Sequence, residues 1–159
     1  VTLVRMTEKL LSPLHTRPWP ERWLTRVLGA ALASAAYLLC LPWDLNNRAP
    51  SPGAVEETTP VTGVGVVALA VILLALAAYF GHRDSLGWPV LLVAVPPAAL
   101  LYVSLRTHPG PPDGFAGVWP LVWGFFTLLI GVGVLVAAAV AREFRADLVD
   151  EELSLAHRR

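Results

Sequence analysis

Four stretches of this chain contain no charged residue at all: 27–43, 61–80, 87–105 and 115–141, with lengths of 17, 20, 19 and 27 residues. A bilayer core of roughly 30 Å is crossed by about 20 helical residues, with a working range of about 17–25. Only 15% of the 159 residues are charged and 55% are hydrophobic, whereas soluble domains carry about a quarter charged residues. The pattern predicts an all-α membrane protein, a bundle of four transmembrane helices spanning about 24–43, 61–80, 88–105 and 117–141. An amphipathic segment, 1–23, precedes this 24–141 membrane domain and a helical tail, 142–159, follows it. A signal peptide would need its apolar region near the N-terminus and a small-residue cleavage site. Here more than 20 mixed residues come first and the stretch ends in Pro42-Trp43-Asp44, so it reads as a true span. Val1 reads as a GTG start codon, with Met6 as an alternative start.

Lys and Arg accumulate on the cytoplasmic side of membrane proteins. Arg5, Lys9, Arg17, Arg22 and Arg26 precede the first span, Arg83 lies between the second and third, and Arg142, Arg145, Arg158 and Arg159 follow the fourth. The other two connections hold only Arg48 and Arg106, so the cations divide ten against two. This predicts that both termini are cytoplasmic. Eleven of the twelve cations are Arg and the chain is rich in Ala and Val, a bias associated with high-GC bacterial genes; the location expected is a bacterial inner membrane. Trp19, Trp23, Trp43, Trp88, Trp119 and Trp123 all fall near span ends, as interfacial anchors whose rings are dry and whose N–H groups stay wet.

Two motifs suggest chemistry and fail in context. "GHRDSLGW" at 81–88 contains His-Arg-Asp, the opening of the protein-kinase catalytic loop. That loop also needs an Asn five residues after the Asp, a strand lysine and D-F-G. Position 89 is proline, Lys9 is the only lysine and D-F-G is absent. The segment reads instead as a tight hairpin: Gly81 and Gly87 permit the turn, Asp84 and Ser85 form it, and Pro89 suits a first helical turn. The run from Gly63 to Ala68 matches the dinucleotide fingerprint G-x-G-x-x-G/A, with Asp84 about twenty residues on, but a Pro-rich loop replaces the required strand. The single Cys40 excludes a C-x-x-C redox pair, and with it the four-helix thiol-oxidising membrane enzymes.

Ionisable residues inside a span mark ion pathways or substrate sites. No Asp, Glu, Lys or His lies in a span interior. Arg26 stands at the inner edge of span one, placed to snorkel to the headgroups. Neither the embedded carboxylate of small multidrug transporters nor the paired histidines of membrane haem proteins occurs. His82 and His108 lie at opposite edges and His15 and His157 in the tails. Ser34 has no base near it in sequence. Tyr37, Ser34 and Thr127 are candidates for a small polar pocket. No catalytic, cofactor-binding or metal-binding residue is assigned, and zero formal charge implies no nucleic-acid partner.

Pro96-Pro97 interrupts span three. Each proline lacks an amide donor and crowds the carbonyl four residues back, which predicts a kink with the Leu92 and Val93 carbonyls freed. In span four, Gly117, Gly124, Gly131 and Ala138 recur every seven residues, and Gly133, Ala137 and Ala141 every four. Small residues at such spacing allow close helix approach. The first row is expected to serve the protein's own bundle and the second to meet a further copy or partner. The outer loops, 44–60 and 106–114, are Pro-rich and hold no metal-ligand cluster; Glu56 and Glu57 read as a solvated pair. Leu3, Leu10 and Leu14 suggest an interfacial N-terminal helix, while Phe144, Leu148 and Leu155 share a face of the tail beside the acidic block of Asp147, Asp150, Glu151 and Glu152.

The function expected is that of a non-catalytic accessory, assembly or scaffold subunit acting through helix–helix contacts. Its partners are the bilayer and another membrane protein or a second copy. The alternative is a small oligomeric transporter or channel using the Pro96-Pro97 break. A third class, an intramembrane enzyme, would have only His82, Arg83 and Asp84 to work with.

Overall fold

The computed structural model describes Leu14, residues 17–47, Pro52 and residues 58–108 and 117–157, with side chains in the last helix up to Phe144. Four helices long and apolar enough to cross a membrane are present among the described residues. They are α1 (Trp19–Cys40), α2 (Gly63–Arg83), α3 (Gly87–Thr107) and α4 (Trp119–His157). At about 1.5 Å per residue, the 21 residues of α2 or α3 match the thickness of a bilayer core.

Proline and capping chemistry set the ends. Pro18 precedes α1 and Pro20 lies in its first turn, where a fixed φ and a missing N–H cost nothing. The helix therefore begins earlier than the expected residue 24. It stops at Cys40 because Leu41 is already extended and the residue before a proline avoids the helical region. Trp43 consequently lies beyond the helix end. The Thr62 hydroxyl accepts the Gly65 N–H at 3.1 Å, capping α2. The hairpin spans only Asp84, Ser85 and Leu86, closed by the Trp88 N–H donating to the Ser85 carbonyl at 3.1 Å. No break separates the fourth apolar stretch from the tail, and α4 continues as one helix to His157. The N-terminal face of Leu3 and Leu10 lies outside the described residues, as do the side chains of Leu148, Leu155 and the acidic block; Leu14 itself is fully buried.

Contacts at both ends fix the directions of the helices. Arg26 of α1 meets Asp84 and Trp88 at one end. Ser104 of α3 meets Trp43 at the other. So α1 and α3 run the same way, and α2 and α4 run opposite to them. α3 is the central element. Of its apolar stretch 44% is buried, against 11% for α4.

The diproline is absorbed by one wide turn. Val90–Ala94 form a π-helical turn in which the Val95 N–H donates to the Val90 carbonyl, five residues back instead of four. An α-helix resumes over Val95–Thr107. Such a bulge inserts one extra residue into a turn and moves the loss of bonding: Leu92 now has a proline both four and five residues ahead, so no amide of its own helix can reach its carbonyl.

The small-residue rows of α4 are arranged the other way round from expectation. Its buried seam is Trp123, Thr127, Ile130, Val134, Ala137, Ala138 and Ala141, at steps of three and four, with Val134 and Ala138 fully buried and Trp123, Ile130 and Ala137 against the core. A side chain added at Gly117, Gly124 or Gly131 would enter open space. The reason is the 3.6-residue turn: a strict seven-residue repeat drifts about 20° per heptad on a straight helix. The row that reaches the seam at Ala138 has left it by Gly124. Gly133 flanks the opposite side, within van der Waals reach of Leu74.

The glycine that α4 approaches closely is instead Gly81 of α2, where a Cβ would run into the backbone and methyl of Ala138. Gly81→Leu should therefore destabilise the protein, by about 1–3 kcal/mol for overpacking. Gly124→Leu and Gly131→Leu should leave the detergent melting temperature unchanged. Thermal melts of the three purified variants check this.

Candidate functional site

The polar groups of the membrane domain gather at its two ends, and the larger cluster surrounds "GHRDSLGW". Arg26 lies two turns into α1 and is 4% exposed. Its Nε and Nη2 both donate to Asp84 Oδ2, at 3.0 and 2.6 Å, while Oδ1 accepts the Ser85 N–H at 3.0 Å. The guanidinium lies 3.5 Å from the centre of the Trp88 ring and 5.7 Å from that of Trp23. The two indoles meet edge to face, and Trp19 continues the row. Arg26 therefore does not snorkel outward: its charge is neutralised inside the protein. The sequence places the carboxylate there because Asp84 is the extended residue that ends α2, and it places the indole there because Trp88 lies in the first turn of α3.

The neighbouring residues diverge. His82 Nδ1 lies 3.4 Å from the Ala141 carbonyl of α4. Arg83 is 2% exposed, donates to the Tyr79 hydroxyl one turn back and lies over that ring. Asp84 turns to α1. His82, Arg83 and Asp84 thus reach three different groups: the Ala141 carbonyl, the Tyr79 hydroxyl and the Arg26 guanidinium. Arg83, counted in the sequence among the cations of the side expected to be cytoplasmic, is packed inside. Among the described residues no three His, Cys, Asp or Glu side chains could together hold a metal ion. The glycines of the dinucleotide-like run open α2, which packs on other helices.

At the opposite end the Ser104 hydroxyl donates to the Trp43 carbonyl, and the Asn46 amide donates to the His108 carbonyl at 3.3 Å. Tyr102 lies edge to face with Trp119 and Trp123, and Arg106 sits over Trp119. Trp123 departs from the anchoring pattern. It packs against the core and its indole N–H donates to the Ala98 carbonyl of α3 at 2.9 Å. The candidate pocket is divided: Ser34 returns its hydroxyl to the Ala30 carbonyl, Tyr37 is buried beside Ser104, and Thr127 lies in the α4 seam.

No protein-family model, curated protein or solved structure matches the chain. What the site can do is thus a question of its own geometry, and that geometry joins helices. The Arg26–Asp84 pair is the part that sequence reasoning missed. One signal was present: Asp84 is the only carboxylate between Glu57 and Asp113, and Arg26 stands beside an apolar run.

Removing one partner of a buried pair strands the other charge, at about 3–5 kcal/mol. Arg26→Leu and Asp84→Leu should each lower stability by about that amount. The double variant should lose clearly less than the sum, and the exchange Arg26→Asp with Asp84→Arg should recover part of it. Unfolding in mild detergent across the four variants measures the coupling.

Proposed function

We propose that this chain is a multi-pass protein of a bacterial inner membrane, with both termini cytoplasmic, and that it acts without catalysis as an accessory, assembly or scaffold subunit. The observation that carries this reading is the one-sidedness of α4. Its seam is engaged by α2 and α3 while Leu121, Phe125, Leu128, Leu129, Val132 and Val136 stand exposed, with the open row of Gly117, Gly124 and Gly131 alongside. In lipid, helices associate through packing and hydrogen bonds, and small residues let backbones approach. Several polar side chains support the same reading by joining one helix to another: Arg26 with Asp84, His82 with the Ala141 carbonyl and Trp123 with the Ala98 carbonyl. The ten-to-two division of cations supports the orientation.

Two measurements test the proposal. A reporter active only outside the cytoplasm should be active when fused after Gly53 or Gly110 and silent after Ser85 or Glu152; activity at Ser85 would overturn the topology. Crosslinking in native membranes should capture a second membrane protein or a second copy, and Gly124→Leu with Gly131→Leu should weaken that capture several-fold while the monomer still inserts and melts normally. Undiminished capture would remove α4 as the contact surface.

A second reading, a small transporter or channel, is favoured by one feature: the π turn and the freed Leu92 carbonyl at the heart of the domain, where broken helices of transporters hold their ions. Substrate-dependent flux in liposomes, lost in Pro96→Ala with Pro97→Ala at unchanged stability, would raise this reading above the first.

A further inference from the structure

The inward-facing stripe of α1 does not end at the Arg26–Asp84 pair. Arg26, Gly29, Ala33, Ala36 and Tyr37 are its buried residues. Arg22 lies four positions before Arg26, about 40° away around the helix and one turn nearer the Trp19 end. Arg26 on this stripe meets a carboxylate; Arg22 does not. It is half-buried, its Nε is enclosed without a hydrogen-bond partner, and among the described residues its guanidinium makes no hydrogen bond or ion pair.

The described carboxylates at this end are committed or distant. Asp84 Oδ2 holds Arg26 and Oδ1 holds the Ser85 amide. Glu21 lies 3.6 Å from Arg17 and, as the adjacent residue, points about 100° away from Arg22. Glu143 is exposed on α4, a helix with which α1 makes no substantial contact. The counter-charge for Arg22 therefore has to come from outside the described protein.

Its surroundings are those of a membrane surface. Trp19 stands three positions before Arg22 and is thus its neighbour on the helix. It is 70% exposed, and Trp23, edge to face with it, is 43% exposed. Indoles at helix ends take the headgroup level, which puts the Arg22 guanidinium at the depth of lipid phosphates. Packing around Nε holds the head in position. The two terminal amino groups are not enclosed and form a planar fork that matches two oxygens of a phosphate.

We propose that Arg22, flanked by Trp19, binds the phosphodiester of an anionic phospholipid, with the indole against the glycerol and the upper acyl chain. Basic positions between helices on the cytoplasmic side hold phosphate headgroups, and a headgroup with no cation of its own leaves the phosphate charge to the guanidinium. The cytoplasmic leaflet follows from the orientation proposed above; the contact itself does not depend on it.

The full chain, purified in mild detergent and stripped of lipid, tests this by thermal melts with added dioleoylphosphatidylglycerol, dioleoylphosphatidylcholine or inorganic phosphate. A ligand that binds only the folded state raises the melting temperature with its concentration. Phosphatidylglycerol should give a saturable rise in the wild type, phosphatidylcholine a clearly smaller one and inorganic phosphate none. Arg22→Gln should lose the rise and Arg22→Lys keep part of it. Arg142→Gln, which removes an exposed cation at the same end, should keep it in full. If Arg22→Gln fails to fold, native mass spectrometry of the wild type and Arg22→Lys decides: the wild type should retain one phosphatidylglycerol that the lysine variant releases more readily, and equal retention overturns the proposal. So does a rise undiminished in Arg22→Gln, one lost equally in Arg142→Gln, or none in the wild type. An equal response to phosphatidylcholine rules out the anionic headgroup, and one to inorganic phosphate rules out the lipid; either overturns the proposal as well.

Discussion

A charge moved into a nonpolar interior has to be neutralised there, and the Arg26–Asp84 pair meets that requirement for this protein. The two side chains come from elements 58 residues apart in sequence and bring the start of α1 onto the hairpin between α2 and α3. Everything at that end is arranged around them. Trp88 supplies a ring face to the guanidinium, Trp23 closes its side, and the Ser85 amide occupies the second carboxylate oxygen. Attraction between an arginine and an indole face is worth about 2 kcal/mol or more once desolvated. Carboxylate and indole together thus make an interior position tolerable for a group that otherwise belongs in water.

The same accounting of hydrogen bonds explains the middle of the molecule. α3 touches every other helix and also carries the weakest backbone, because two adjacent prolines remove successive donors. The wide turn over Val90–Ala94 lets the helix continue through them with Pro97 and Ala98 still packed in the core. The Trp123 indole of α4 donates to the Ala98 carbonyl of α3, and the Ser104 hydroxyl of α3 donates to the Trp43 carbonyl beyond the end of α1. Side chains that look like interfacial anchors or stray polar groups in the sequence act here as struts between helices.

Sequence alone exposed the number of long apolar helices, because bilayer thickness and the 1.5 Å rise leave few ways to read charge-free stretches of 20 residues. Proline chemistry explains the boundaries that shifted, at Trp19 and Cys40. The pairings were illegible for a different reason. Arg26 and Asp84 each have an adequate local explanation, as an edge cation and a turn former, and nothing in one sequence says that they meet. The seam of α4 was misread because identical residues at seven-residue spacing draw attention, whereas the seam that packs mixes Trp, Thr, Ile, Val and Ala at alternating steps of three and four. In the His82-Arg83-Asp84 segment the turn was evident, while its packing depended on Arg26 and Ala141, both distant in the chain.

The contact of Gly81 with Ala138 has a consequence for how the protein assembles. α2 and α4 run in the same direction, so no short loop could join them, and 57 residues separate the two sides of their closest approach. α3 must therefore be threaded between the two before their backbones can meet. Contacts of high sequence separation form late, because loop-closure entropy has to be met before they contribute, and chains fold in the order in which they are made. The hairpin with its charge pair can mature while α4 is still being synthesised. The glycine on α2 is then a berth kept open for the last helix to arrive.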